Sequence, residues 1–246
     1  MTDFTVLCMQ HGQDRVVVEL NRPQARNAIN AVMVSELHEM CAALERTPKI
    51  LILTGAGTDF AAGADIAELR ERGRDEALAG INRAVFDRIA ALPMPTIAAV
   101  EGNALGGGAE LTYACDIRIA GAGARFGNPE AGLGILAAAG ASYRLAELIG
   151  KSIAKQVILG GRILDADAAL RHGLLADVVD TGEALAAACA LADRIGRSSP
   201  LALRLSKAVI DAAGPHPLLD DLAQAVLFES ADKKERMTRF LEKRPS

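Results

Sequence analysis

The length, composition and charge of the chain are those of a globular protein: 246 residues, half of them hydrophobic and 24% charged. The net charge of −4 argues against a general nucleic-acid binder, because such proteins usually carry a basic face. No apolar run approaches the roughly 20 residues that cross a bilayer, and the first residues do not resemble a targeting segment, so we expect a cytoplasmic protein with neither a nucleic-acid nor a membrane partner.

The first half of the chain alternates short β-branched runs with glycine turns. A β-hairpin is predicted from "FTVLCMQ" and "RVVVEL", which the turn-like "HGQD" separates. The apolar spacing of "VMVSELHEMCAALER" predicts a helix. Further strands are predicted in "KILILTGAG", "PTIAAVEGN" and, as two short ones, "DIRIAGAGARFG". Because strand, glycine turn and helix recur, the fold class is predicted as α/β, built from repeated ββα units.

Beyond about Leu145 the pattern changes to helices. Five segments have helical spacing and start or stop with Ser, Asp, Gly or Pro: "AELIGKSIAKQVILGG", "DADAALRHGLL", "GEALAAACALADRIGR", "PLALRLSKAVIDAA" and "HPLLDDLAQAVLFES". No low-complexity linker precedes them. We therefore expect this helical tail to pack against its own core or against a neighbouring subunit.

The four cysteines give no sign of a metal or disulfide site. Cys8, Cys41, Cys115 and Cys189 are widely separated, form no C-x-x-C pair and have no histidine at metal-ligand spacing. Their apolar surroundings predict buried, reduced thiols and no bound metal.

Two glycine turns share one design. Both "TGAGTDFAAGADI" and "EGNALGGGAEL" run from an apolar strand through small residues into a helix with an acidic residue near its start. A helix start presents unpaired N–H groups, and small residues let a ligand oxygen approach them. Two such groups would hold an oxygen that becomes negative during a reaction. Tight turns in a crowded fold are the alternative, whereas Phe60 in place of a third glycine argues against a dinucleotide site.

Two glutamates are candidates for acid–base chemistry. Glu110 enters an apolar helix, and Glu130 lies in "RFGNPEAGLGI", after a predicted strand. Neighbours such as Ala, Gly, Leu and Phe would solvate these carboxyls poorly and raise their pKa values into a useful range. A pair of such groups can supply acid and base in one step. Taken singly, each glutamate has the alternative role of a capping or salt-bridging residue.

The order of these motifs resembles that of the enoyl-CoA hydratase/isomerase (crotonase) family over nearly the whole chain. Four blocks and a C-terminal segment carry the resemblance: "NRPQARNAIN", "TGAGTDFAAGADIAEL", "GNALGGGAELTYACDIRIA", "FGNPEAGLGI" and "FLEKR". The resemblance implies a spiral of ββα units over residues 1–195 with a CoA-thioester site, and a C-terminal helical region over 196–246 for oligomer packing. It further implies an acyl-CoA substrate, no cofactor besides the CoA of that substrate, and a homotrimer or dimer of trimers.

The resemblance also implies roles for particular residues. The oxyanion hole would be formed by the backbone N–H groups of Ala64 and Gly107. Coenzyme A would lie along the backbone of four residues, Ala25, Ala62, Asp65 and Ile66. Because both family glutamate positions are filled, hydration of a trans-2-enoyl-CoA is expected, with Glu110 activating water and Glu130 delivering a proton. The alternatives are an enoyl-CoA isomerase, another crotonase-type enzyme, or a non-catalytic scaffold or RNA-associated member of the family.

The chain departs from the family pattern in two places. After Glu130, "LGILAAAGASYRL" replaces the usual L-G-x-x-P-G-x-G-G-T-Q-R-L, with changes at Ala137, Ala138, Ser142 and Tyr143. The lysines common near the CoA phosphates are replaced by Gln24 and Ala67, which leaves Arg26 as a candidate phosphate contact. The first departure bears on acyl-chain length and reaction type.

Overall fold

The strands of the molecule form two sheets. A computed structural model describes residues 4–212, 214 and 216–242, and within them the strands are β1 (Leu7–His11), β2 (Arg15–Leu20), β3 (Ile50–Gly55), β4 (Thr96–Val100), β5 (Asn103–Leu105), β6 (Ile117–Gly121), β7 (Arg125–Gly127), β8 (Leu164–Asp165) and β9 (Asp177–Val179). The main sheet has the order β1-β2-β3-β4-β6-β9, and the second has the order β5-β7-β8. The predicted hairpin is the antiparallel pair β1–β2, whereas the other neighbouring strands of the main sheet pair in parallel.

Helices connect and cover these strands. In the described part of the chain they are α1 (Ala31–Arg46), α2 (Ile66–Glu71), α3 (Arg74–Ala79), α4 (Ile81–Ala90), α5 (Gly107–Tyr113), α6 (Ala146–Ile149), α7 (Lys151–Ile158), α8 (Ala166–Arg171), α9 (Ala184–Gly196), α10 (Pro200–Ile210), α11 (His216–Phe228) and α12 (Ala231–Glu242). The α1 helix begins where the Asn30 side chain caps the N–H of Met33.

The main sheet buries both of its faces, which explains why its strands are continuous apolar runs. Alternate residues of β2, β3 and β4 pack with α1 and α4 in the larger core. The intervening residues of the same strands pack with the alanine-rich face of α9 in a smaller core. Since side chains alternate along a strand, one strand serves two cores, and the sheet lies between two helical layers.

The predicted elements are largely confirmed, with some additions. The hairpin, α1, the four further predicted strands, α5, and α2 as the helix expected after the first glycine turn lie where the patterns place them. The strand β5, the strands β8 and β9 within the helical tail, and the helices α3 and α4 between β3 and β4 were not predicted. The segment α3 is six residues long, which is too short for a clear helical period.

The cysteines only partly match the expectation of buried thiols. Cys41 and Cys115 are buried and free, but Cys8 is exposed and Cys189 is half-buried, so the expectation is wrong for these two. Cys8 lies on the edge strand β1, where alternate side chains face away from the core. The described residues contain no cluster of three or more potential metal ligands, and none of their helices is long and apolar enough to cross a membrane.

The last three helices leave many of their apolar residues exposed. Within the described residues, α10, α11 and α12 contribute no buried side chain. On α11, Leu218 and Leu222 are 57% and 58% exposed, and Ala225 is exposed as well. Three residues of the predicted C-terminal segments, Ala213, Lys243 and Arg244, lie outside the described residues.

Candidate active site

The two glycine turns that the sequence singled out lie against each other. Residues Ala61 and Ala104 form a parallel bridge, and the Leu105 N–H donates to the Ala61 carbonyl at 3.0 Å. A second bridge joins Ile29 to Ala64. Three segments from distant parts of the sequence are thereby held side by side, and the backbone at Ala64 meets the start of α5.

The predicted oxyanion donors, Ala64 and Gly107, are neighbours. A Cβ atom placed on Gly107 would lie 3.4 Å from the Ala64 nitrogen and 3.8 Å from Asn82 Nδ2. Neither backbone N–H donates a hydrogen bond within the described residues. Gly107 is the first residue of α5, where the helix supplies no acceptor for its N–H. Two backbone N–H groups without acceptors therefore lie close together.

The three consecutive glycines before Glu110 serve three different purposes. Gly106 has a φ of +50°, and a Cβ there would also lie 3.2 Å from Glu130 Oε1. Gly107 leaves the space beside Ala64 open. At Gly108 a Cβ would lie 2.2 Å from the Ala61 carbonyl oxygen, so glycine is needed for α5 to pack against that turn.

Glu110 is a buried carboxylate held by backbone groups. It lies in α5 and is 3% exposed. Its Oε1 accepts hydrogen bonds from Ala139 N at 2.8 Å and Ala141 N at 3.1 Å. Burial raises the pKa of Glu110 to about 7, and the charge of Glu130 adds to the rise, although the backbone hydrogen bonds oppose it. A carboxyl with such a pKa exchanges protons readily near neutral pH.

Glu130 shares this site and has one unpaired oxygen. It lies in the short 3₁₀ turn Pro129–Leu133, just after β7, and is 8% exposed. Its Oε1 accepts from Asn128 Nδ2 at 3.3 Å, whereas its Oε2 is buried without a hydrogen-bond partner among the described residues. Burial raises the pKa of Glu130 despite the hydrogen bond from Asn128. The two predicted glutamates are thus brought together, each with a raised pKa.

The residues predicted to line coenzyme A also lie together. Ala25 ends a short 3₁₀ turn, and the Ala62 N–H donates to the Arg26 carbonyl at 2.9 Å. Asp65 caps α2 and forms an ion pair with Arg22 at 3.2 Å, while Ile66 is 56% exposed beside it. The four residues therefore form one strip of backbone next to Ala64, in which Ile66 is exposed and the other three are half-buried.

A buried asparagine fixes that strip. Asn27 is fully buried with a left-handed φ of 55°. Its Oδ1 accepts from Arg22 N at 2.9 Å, and its Nδ2 donates to the carbonyls of Ala56 and Asp59 at 2.9 and 2.8 Å. The asparagine of the first sequence block therefore ties that block to the loop of the second.

The loop 137–143, whose sequence departs from the family pattern, contributes backbone to the site and side chains to the surface. Ala137 is buried and Ala138 exposed, and Ser142 and Tyr143 belong to the π-helical turn Ala141–Leu145. The Tyr143 hydroxyl donates to Asp87 Oδ1 at 2.8 Å. The same loop supplies the two N–H groups that hold Glu110, so the change of sequence leaves the carboxylate supported.

Three further residues of the site were missed by the sequence analysis. Asn128 and Tyr113 lie within quoted motifs, but only folding shows that their side chains meet beside Glu130. Asn82 lies on α4, a helix that was not predicted, and its Oδ1 accepts from Arg72 at 3.0 Å. Because a guanidinium only donates, this bond fixes the amide with Nδ2 toward Gly107.

Two buried carboxyls with raised pKa values thus lie near backbone N–H groups that have no acceptor, on an α/β fold, which is an arrangement typical of acid–base enzymes. The chain belongs to the Enoyl-CoA hydratase/isomerase family, whose sequence profile matches residues 12–246. The family expected from the sequence blocks is thereby confirmed, and with it the expectation of an enzyme.

Similar proteins support this assignment along the whole chain. The sequence is 42% identical to the short-chain-enoyl-CoA hydratase of Clostridium acetobutylicum, over 93% of this chain and 91% of that protein. It is 39% identical to the crotonyl-CoA hydratase of Syntrophomonas wolfei, over 97% and 95% of the two chains. The crystal structure of an enoyl-CoA hydratase from Bacillus anthracis superimposes with a TM-score of 0.93 at 31% identity, covering 98% and 97% of the chains. The predicted crotonase-type fold is confirmed.

Proposed function

We propose that the protein adds water to trans-2-enoyl-CoA thioesters and forms 3-hydroxyacyl-CoA. The single observation that carries the proposal is the pairing of Glu110 and Glu130, both buried and both with raised pKa values. Hydration needs one group that accepts a proton from water and another that supplies a proton to carbon. Glu110 and Glu130 lie close enough for the charge of one to raise the pKa of the other.

The thioester oxygen would be held by the N–H groups of Ala64 and Gly107. Their position beside each other and their lack of acceptors support this role. When a nucleophile adds to Cβ of an enoyl thioester, negative charge develops on that oxygen. Preorganised donors stabilise such charge, since they need no reorientation during the reaction.

The proton transfers divide between the carboxyls. Ionised Glu110 accepts a proton as the water oxygen bonds to Cβ, and protonated Glu130 gives its proton to Cα. The C=C π electrons pass through the enolate and end in the new C–H bond, so one water molecule is added overall. Proton exchange between the carboxyls, or with solvent, restores the starting state. This scheme requires no cofactor besides the coenzyme A of the substrate.

Coenzyme A is proposed to lie along the backbone of the predicted residues Ala25, Ala62, Asp65 and Ile66. Their accessible strip next to Ala64 supports this placement. Arg26 is exposed at the same place and is the proposed phosphate contact in the absence of the usual lysines. A short acyl chain is proposed for the substrate, because two similar proteins are named as short-chain-enoyl-CoA and crotonyl-CoA hydratases.

The oligomer and compartment are also proposed. The exposed apolar residues of α11, including Leu218 and Leu222, support a homotrimer or a dimer of trimers in which these helices are covered. Cys8 is exposed and forms no disulfide, and a free exposed thiol supports a reducing compartment such as the cytoplasm.

Isomerisation of a 3-enoyl-CoA is the second candidate. It needs only one carboxyl that moves a proton between carbons, and Glu130 has a free oxygen for that purpose. In that case Glu110 would be dispensable. Changing each glutamate separately therefore distinguishes the two reactions.

The decisive assay follows the loss of conjugated enoyl absorbance with crotonyl-CoA. We expect Glu110→Gln and Glu130→Gln each to slow hydration by roughly 100-fold or more, because glutamine keeps the shape of the side chain but transfers no proton. The exposed Glu39 provides the matched control, Glu39→Gln, which should retain full activity. A wild-type enzyme that ignores crotonyl-CoA, together with Glu110→Gln that still isomerises a 3-enoyl-CoA, would replace hydration by isomerisation.

A further inference from the structure

A chain of buried polar groups runs from the end of α5 to Glu130. The Tyr113 hydroxyl donates to Asn128 Oδ1 at 3.1 Å. On the other side of the same amide, Asn128 Nδ2 lies 3.3 Å from Glu130 Oε1 and 3.5 Å from the Gly106 carbonyl. Tyr113, Asn128 and Glu130 are 4%, 1% and 8% exposed, so solvent does not compete for these bonds.

The chemistry of these groups fixes which of them donates and which accepts in each hydrogen bond. Burial raises the pKa of Tyr113, and the charges of Glu110 and Glu130 raise it further, so the phenol stays protonated and remains a donor. A hydroxyl that donates to the amide requires oxygen at that end and thus turns the NH₂ end toward Glu130. Without the phenol, the orientation of the amide would rest only on the two long bonds from Nδ2 to the Gly106 carbonyl and to Glu130, at 3.5 and 3.3 Å.

The orientation of Asn128 decides how Glu130 presents its carboxyl. The amide holds Oε1, while Oε2 is left buried and unpaired. If the amide were reversed, its oxygen would face the carboxylate and repel it. A phenylalanine would fill the space of Tyr113 equally well, and its burial would not require a hydrogen-bond partner.

We propose that Tyr113 and Asn128 are positioning residues that hold Glu130 with its Oε2 directed at the substrate. The inference rests on the proposed function, in which Glu130 supplies the proton to Cα. Tyr113 follows Glu110 by three residues on α5, so both lie on the same face of that helix. One rigid helix therefore carries the base, one proposed oxyanion donor and the group that orients the acid.

The test begins with Tyr113→Phe. We expect kcat for crotonyl-CoA to fall roughly 3- to 10-fold, the value of one neutral hydrogen bond, while KM changes less than about twofold.

The titratable groups that face Glu130 are Glu110 and Tyr113, with Arg118 facing Tyr113 from β6. Because the Asn128 donor lowers the pKa of Glu130, its misorientation should raise that pKa and move the high-pH limb of activity upward.

The matched control is Tyr143→Phe, which removes the other tyrosine hydroxyl of the chain, one bonded to Asp87. It should leave the high-pH limb in place. In an Asn128→Leu background, Tyr113→Phe should have no further effect on kcat, since the phenol acts only through the amide. If the effects of the two substitutions on kcat are independent, so that the double variant shows their product, the inference is overturned.

A readout that does not need activity separates this inference from the proposed function. Titration of the Glu130 carboxyl by ¹³C NMR, assigned with Glu130→Gln, should show a higher pKa in Tyr113→Phe than in the wild type. An unchanged titration in a folded variant refutes the positioning role, even if the wild type hydrates crotonyl-CoA. If Tyr113→Phe raises the pKa of Glu130 but the wild type has no hydratase activity, the positioning role is supported and only the proposed reaction is refuted.

Discussion

A single methyl group at Gly107 should slow turnover at least about 100-fold without harming the fold. The Cβ of Gly107→Ala would lie 3.4 Å from the Ala64 nitrogen, 3.8 Å from Asn82 Nδ2 and 3.9 Å from the carbonyl carbon of Gly63. These are tolerable van der Waals distances, so the backbone keeps its place. The methyl nevertheless enters the space between the proposed donors, where an oxygen must approach each nitrogen to about 2.9 Å.

The magnitude follows from the loss of one donor. Removing one oxyanion donor typically costs about 2.7–4 kcal/mol of transition-state stabilisation, or roughly 100- to 1,000-fold in kcat. Alanine in a helix is at the same time about 0.5–1 kcal/mol more favourable than glycine. We therefore expect Gly107→Ala to be at least as stable as the wild type and at least about 100-fold slower.

The neighbouring glycine provides the matched control. In Gly108→Ala the added carbon would lie 2.2 Å from the Ala61 carbonyl oxygen, which no side-chain rotation can relieve. This variant should lose stability, by about 1–3 kcal/mol or more, because overpacking forces the backbone apart. Urea unfolding and crotonyl-CoA turnover measured on both variants separate the two effects. A folded Gly107→Ala enzyme with turnover within threefold of the wild type would refute the oxyanion assignment.

Three other predictions concern stability and assembly. The pKa of Glu110 rises from 4.5 to about 7 on folding, so the stability that protonated Glu110 contributes below pH 4.5 is lost as the pH rises through 7. Glu110→Gln should therefore be more stable than the wild type at pH 8 by up to about 3 kcal/mol, and equal to it near pH 4, in urea unfolding. Asn27→Ala leaves two carbonyls and one N–H unpaired and should cost at least about 2 kcal/mol in the same assay; a smaller loss would show that water replaces the amide. Light scattering at micromolar concentration should give a multiple of three 25.7 kDa chains, and a monomer would rule out the trimer.

The parts of the site that the sequence predicted are those that depend on backbone and local order. Small residues next to a helix start indicate accessible N–H groups wherever the chain goes afterwards, so both glycine turns were candidates, and the family resemblance then assigned the donor role to Ala64 and Gly107. The carboxyls were conspicuous because an acid within an apolar segment is costly. In the structure both glutamates are indeed buried and carry raised pKa values.

The parts that could not be predicted depend on contacts between distant segments. Strand β9 has three residues and exists because β6 offers it a parallel edge, which no local pattern shows. The orientation of Asn128 depends on a phenol 15 residues earlier in the chain. Likewise, Asn82 lies near Gly107 only because α4 packs beside α5, so its relation to the site became visible with the fold.

The support of Glu110 by main-chain N–H groups has a consequence for how this enzyme can change over time. The contact with Glu110 uses only the main chain of Ala139 and Ala141, so proline is the one residue that would remove its N–H groups, although the burial of both alanines limits the size of any replacement. Mutations can therefore accumulate at the exposed positions of the loop, Ala138, Ser142 and Tyr143, while the carboxylate stays anchored. These side chains can be varied by engineering without redesigning the proton chemistry.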